Sequence, residues 1–252
     1  MKAIRDRYNN IFVDAEDVNY NQTSIQGIKY KGVYELGLYN FMEKYLSKLD
    51  VDFYDIGASE GIFSIVFSHF NKKNNVYAFE PSTKSYNIML KNIKLNNRTN
   101  IVPYNIALGE ETKELFVHVN DNDCAISLQD NNEYTDHQLI KMDVLKNYDN
   151  NATRFLKLDI EQYEYDCLKN EIDFLKSDYT IGVCSEFIGD SDYKRKLYNL
   201  LSGCFDYCYV IDKNLSILDE NVYKWKDEYF NNKQAMNVVF LKKEWIKEGE
   251  FK

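Results

Sequence analysis

Apolar positions along this chain alternate between two patterns. Short continuous runs, closed by glycine, proline or an acid, read as buried strands, and stretches with helical spacing lie between them. From residue 34 to 49, Leu36, Leu38, Phe41, Met42, Tyr45, Leu46 and Leu49 recur at about helical spacing and predict an amphipathic helix. Residues 51–56 form an apolar run stopped by Gly57, a first buried strand. Residues 62–70 are apolar at most positions and predict a helix buried on a sheet. Residues 75–80 read as the next strand, ended by Pro81, after which Ser82 caps a helix to about Asn96. Residues 100–106 give a third strand, and residues 113–119 alternate like an antiparallel or peripheral one. Residues 120–135 are polar and loop-like. A fourth core strand (154–160), a helix (163–175), a fifth strand (179–186), a helix (191–201) and strands at 205–211 and 236–241 complete the series.

Strands alternating with helices predict an α/β fold: a single doubly wound, mostly parallel seven-stranded sheet with an N-terminal helical extension. With no internal repeat and no Pro/Gly/Ser linker, residues 1–50 read as that extension and 51–252 as one domain. Such sheets bind ligands at the carboxyl ends of their strands, near the point where strand order reverses. Asp55, Glu80, Ile106, Asp159 and Glu186 all fall at strand ends.

Composition narrows the partners. A hydrophobic content of 44% in 252 residues supports a sizeable core. The net charge of -9 argues against a nucleic-acid groove and against attraction to anionic membranes. No stretch reaches the length of a membrane span, and the charged N-terminus lacks the apolar segment of a secretory signal. Five cysteines read as reduced thiols of a cytoplasmic protein, and Cys204 with Cys208 has the wrong spacing for a zinc knuckle. Oligomeric state is not readable.

The loop after the first strand carries the sharpest chemistry. Gly57 and Gly61 bracket Ala58, Ser59 and Glu60 where the strand turns into a helix, whose free N–H groups favour an anionic group. A dinucleotide fingerprint would need glycine where Ser59 and Ile62 stand, and a P-loop would need lysine where Ile62 stands. An adenosyl ligand without pyrophosphate fits better. Its methionine carboxylate would sit on the loop amides and its ammonium on Asp55. Glu80, twenty-five residues later, would accept from both ribose hydroxyls. This predicts S-adenosylmethionine as cofactor and S-adenosylhomocysteine as product.

Residues 52–61 (DFYDIGASEG), 78–81 (AFEP) and 155–161 (FLKLDIE), with Glu164 and Leu168, resemble the FkbM-type methyltransferases. Asn105–Gly109 (NIALG) and Asn237–Phe240 (NVVF) match further segments, and the likeness spans about residues 34 to 241. The resemblance implies a Rossmann-like class I fold and methylation of hydroxyl oxygens of sugars and natural products. It places Asp55, Gly57, Ala58, Ser59 and Gly61 at the methionine end and Glu80, Pro81 and Ser82 at the ribose. Asn105, Ile106 and Ala107 would then lie beside the adenine. Asp159 would adjoin the cofactor. One departure stands out: Gln162 occupies a position where the family usually has glycine.

Lys157, Asp159 and Glu161 alternate on the fourth strand and share one face if that strand is regular, with Glu186 able to face them. Three readings stay open here. Asp159 or Glu161 is a general base tuned by Lys157; Asp159, Glu161 and Glu186 hold a divalent cation; or the cluster is a structural ion-pair network. No metal is predicted. His118 and His137 are alternative bases that spacing does not single out. The expected activity is S-adenosylmethionine-dependent O-methylation of a sugar hydroxyl in a polysaccharide, a nucleotide-sugar or a glycosylated metabolite. The rivals are a nicotinamide-dependent oxidoreductase and a non-catalytic partner protein of the same fold.

Overall fold

The computed structural model describes residues 3–5, 12–14, 28, 34–119, 126–127, 136–211, 223–224, 230–231 and 234–245. Near the N-terminus, β1 (Ala3–Arg5) and β2 (Phe12–Asp14) pair antiparallel. Phe12 is strapped to the helix end at Asn96: its N–H donates to Oδ1 at 2.8 Å and its carbonyl accepts from Nδ2 at 2.7 Å. The predicted helical extension is α1 (Leu36–Lys44), followed by a 3-10 turn at Leu46–Lys48. Its Leu38, Phe41 and Met42 join the core cluster that also holds Phe63 and Phe67.

The main sheet is built from β3 (Asp52–Ile56), β4 (Val76–Phe79), β5 (Ile101–Tyr104), and, later in the chain, four more strands. Between them lie α2 (Ile62–Phe70) and α3 (Thr83–Leu95). A second sheet follows: β6 (Ala107–Leu108), β7 (Lys113–Val119), β8 (Ile126–Ser127) and β9 (Asp136–Asp143). The chain then returns with β10 (Arg154–Leu158), α4 (Glu164–Leu168), α5 (Ile172–Lys176), β11 (Thr180–Phe187), α6 (Ser191–Ser202), β12 (Tyr207–Ile211), β13 (Tyr223–Lys224) and β14 (Met236–Leu241).

Among the described residues the main sheet runs β5-β4-β3-β10-β11-β14-β12, with the two-residue β13 at its edge. Neighbours from β5 through β11 are parallel, and β14 is antiparallel to both β11 and β12. This is the predicted seven-stranded, mostly parallel α/β sheet. Both faces are covered, so β3, β10, β11 and β14 are buried at every position. Strand order reverses between β3 and β10, the predicted place for a ligand.

Several expectations shift. The predicted strand at 100–106 stops at Tyr104, because Asn105 turns its amide back to the carbonyls of Glu80 and Pro81. Pro103 is tolerated in β5 because that strand lies at the sheet edge. The helix expected over 163–175 is two short helices, broken at a turn in which Glu171 N–H bonds Leu168 O. The antiparallel reading of 113–119 holds, but its partner β9 was missed. Its polar alternation (DHQLIKMD) hid one buried face, formed by Ile140 and Met142. Apart from Ile126 and Ser127, the loop predicted over 120–135 lies outside the described residues.

Candidate active site

The loop between β3 and α2 sits at the carboxyl end of the sheet. The N–H groups of Gly57 and Ala58 both donate to Phe79 O at 3.0 Å, tying the loop to β4. Gly57 has φ +78°, and a Cβ there would stand 2.0 Å from the Asp159 carbonyl oxygen. The β3 and β10 loops therefore meet backbone to backbone, which only glycine allows. Gly61, also at φ +78°, opens α2, and α3 packs on it through Met89. Ser59 takes a left-handed φ of 49° that aims its N–H at Glu80 Oε2, 2.8 Å away.

Glu80 is buried at the end of β4 and accepts a second bond on Oε1 from Ser82 N–H at 2.7 Å. Ser82 also caps α3, its hydroxyl accepting from Ser85 N–H. Burial raises the Glu80 carboxyl to about 7, against the pull of the two amides; Glu60 adds to the rise and Lys157 opposes it. A carboxyl so held has acceptor capacity left for a ribose, which fits the predicted cofactor. Asn105 binds the Glu80 and Pro81 carbonyls at 2.8 and 3.1 Å, Ile106 is half-buried and Ala107 begins β6.

The Asp55 side chain is fully buried beneath the loop, with Oδ2 accepting from Ser64 at 2.6 Å and Oδ1 paired with Lys157 at 3.2 Å. These bonds brace the loop from below. The Lys157 ammonium also reaches Gly57 O at 3.3 Å and Asp159 Oδ2 at 3.6 Å, and lies over the Phe63 ring. Burial pulls the Lys157 pKa down, but Asp55, Asp159 and Glu35 together outweigh it and keep the group an ammonium. Lys157 is a fixed cation and not a base.

Asp159 is the partly exposed member of this cluster. Regular strand ends at Leu158, and Glu161 and Gln162 take left-handed φ of 55° and 71°, so strand alternation does not extend to Glu161. Glu161 is exposed there. Left-handed backbone at Gln162 explains why glycine suits the position, and the Gln162 side chain lies against Gly189. Gln162→Gly is therefore expected to stabilise the chain by about 1 kcal/mol, read as a higher urea midpoint at unchanged slope. An unchanged midpoint would mean that packing on Gly189 offsets the strain.

Residues not singled out in the sequence complete the mouth. Burial raises the Tyr34 hydroxyl, and the carboxylates of Glu35, Asp159, Glu186 and Glu60 add to the rise. Tyr34 packs on Phe63 with ring centres 5.7 Å apart. Glu35 accepts from Asn237 Nδ2 at 2.8 Å, and Asn237 pairs in register with buried Glu186. Asn237 carried a signal, the NVVF segment. Tyr34 and Glu35 carried none, since Asp159, Glu186 and Asn237 are more than a hundred residues away in sequence.

No curated protein matches the chain. Among solved structures it is similar to an FkbM methyltransferase from Methylobacillus flagellatus KT, with 18% identity and a TM-score of 0.49 over 80% of this chain and 47% of that one. The chain thus spans about half the length of that relative. It is similar to a precorrin-6y C5,15-methyltransferase from Geobacter metallireducens GS-15 (14%, TM-score 0.46, 82% of this chain and 88% of that one). It is also similar to Aeropyrum pernix fibrillarin with natively bound S-adenosyl-L-methionine (12%, TM-score 0.47, 95% and 98%). The family model described as the methyltransferase FkbM domain matches residues 55–204, more than half of the chain, and takes in the carboxyl ends of β3, β4, β5, β10 and β11. The chain belongs to the FkbM methyltransferase family, whose cofactor is S-adenosylmethionine.

Proposed function

We propose that this chain transfers a methyl group from S-adenosylmethionine to a hydroxyl oxygen of a sugar. The first-turn N–H groups at the α2 N-terminus, which have no partner within the helix, would hold the methionine end, and Glu80 the ribose. When bound, the cofactor supplies an activated methyl group, so the protein's tasks are alignment and removal of one proton. Asp159 is our candidate for taking the hydroxyl proton, a role worth roughly 10²–10⁴-fold. Lys157, 3.6 Å from it, fixes the carboxylate.

The observation that carries the acceptor reading is the charge of the mouth. Glu35, Glu60, Asp159 and Glu186 all act on Tyr34 through their charge, while Lys157 is already shared between Asp55 and Asp159. Such a surface suits donors such as sugar hydroxyls and repels phosphate. The Lys157 ammonium supplies the positive charge between Asp55 and Asp159.

Transfer of labelled methyl into a panel of neutral glycans, glycosylated metabolites and nucleotide-sugars tests this. We expect incorporation into a neutral glycan or glycoside at least tenfold above any phosphate-bearing acceptor, unchanged by a chelator. Preference for nucleotide-sugars would overturn the charge argument, and loss of activity with chelator would revive the metal reading.

A further inference from the structure

We propose that Gln138, on the second sheet, is a positioning residue for the cofactor: its amide clamps the turn that presents Ser82 N–H to Glu80. The proposal rests on reading Glu80 as the ribose-binding carboxylate.

Gln138 stands where β9 alternation calls for an apolar side chain. Positions 138, 140 and 142 share one face, and Ile140 and Met142 are buried on it, whereas Leu139 on the other face is half exposed. The Gln138 side chain reaches across to the main sheet. Its Nε2 donates to Pro81 O at 3.1 Å and to Thr83 Oγ1 at 2.7 Å, and its Oε1 accepts from Thr83 N–H at 3.3 Å. Thr83 N–H is one of the first-turn donors of α3 that have no partner within the helix. Pro81 offers no N–H, so this turn cannot be held by a backbone ladder on both sides. Asn105 grips it from the β5 side, through the Glu80 and Pro81 carbonyls, and its Oδ1 accepts from Thr83 Oγ1 at 3.4 Å. Two side-chain amides thus bracket residues 81–83, and one of them belongs to the second sheet.

The consequence falls on Glu80. Its carboxyl accepts one amide from the β3 loop, Ser59, and one from this turn, Ser82. The other charged groups that act on it are Glu60 and Lys157, and Gln138 touches neither in these bonds. Releasing the turn weakens the Ser82 bond, which stabilises the charged form, so Glu80 would ionise at higher pH.

The test is calorimetric titration of the full chain with S-adenosylhomocysteine at several pH values between 6 and 8.5. Gln138→Met keeps the volume and removes the amide. We expect its dissociation constant to rise about tenfold at pH 8, and the midpoint of the pH dependence to move upward, with melting close to wild type. A merely structural role would lower the melting temperature and leave that midpoint in place. Wild-type affinity with an unmoved midpoint in a folded Gln138→Met overturns the proposal, as does failure of both Gln138→Met and Gln138→Ala to fold. Glu80→Gln, run alongside, separates the two levels. If it binds normally, the ribose reading fails; if it loses binding while Gln138→Met does not, only the role of Gln138 fails.

Discussion

Glu80→Gln is expected to raise the dissociation constant for S-adenosylhomocysteine about 100-fold at pH 8, because two charge-assisted bonds to ribose hydroxyls become weaker neutral ones. The amide also has a single acceptor oxygen, whereas Ser59 and Ser82 each aim an N–H at the carboxyl. The wild-type chain should show a pH signature that the variant lacks. Burial holds Glu80 near 7, so the acceptor-only carboxylate dominates at pH 8 and is the minor form at pH 6. Affinity should therefore fall roughly tenfold from pH 8 to pH 6 in the wild type and stay flat in Glu80→Gln. Stability of the free chain should run the other way. With its folded value above the unfolded one, Glu80 binds more protons in the folded state between about 4.5 and about 7. Its contribution is thus most favourable below that window and is lost as pH rises through it. Cofactor binding and unliganded stability are opposed at this one residue. A Glu80→Gln variant that binds within threefold of wild type would remove it from the ribose site.

The legible part of this molecule was its periodicity and its glycine spacing. Residues 51–56 and 154–160 announced buried strands because both faces of a parallel sheet are covered, and Gly57 announced the close approach that its φ and the Asp159 carbonyl require. The acidic end of β4 was readable because it closes a strand–helix–strand unit. Long-range side-chain pairing was not readable. No local pattern announced that Asp55 is fully buried and bonded to Ser64 and Lys157. The shared face expected for Glu161 assumed a strand two residues longer than β10, which ends at Leu158. Tyr34, Glu35 and Gln138 reach the site from elements whose docking no local pattern encodes.

Asp55 and Asp159 share one ammonium, yet their variants should fail in different ways. Asp55→Asn should cost about 3 kcal/mol of stability in urea unfolding, because a buried lysine loses its nearest counter-charge and Ser64 its charged acceptor. Asp159 and the Gly57 carbonyl still hold the ammonium, which keeps the loss at the lower end for a broken buried pair. Lys157 ionises at higher pH in the folded chain than when unfolded. The lysine's own contribution is therefore fully present below about pH 10.5 and is lost as pH rises above that. Asp159→Asn is the outer case. Its carboxylate is partly exposed and its contact with Lys157 is longer, so stability should change by no more than about 1 kcal/mol. Turnover should nevertheless fall by roughly 10²–10⁴-fold, with cofactor affinity within a few-fold, if this carboxylate takes the acceptor proton. The inner acid would then hold the loop and the outer one do the chemistry. Full turnover in Asp159→Asn, or equal stability losses in both variants, would break that division and leave Glu60 and Glu186, both buried, as the acids to test.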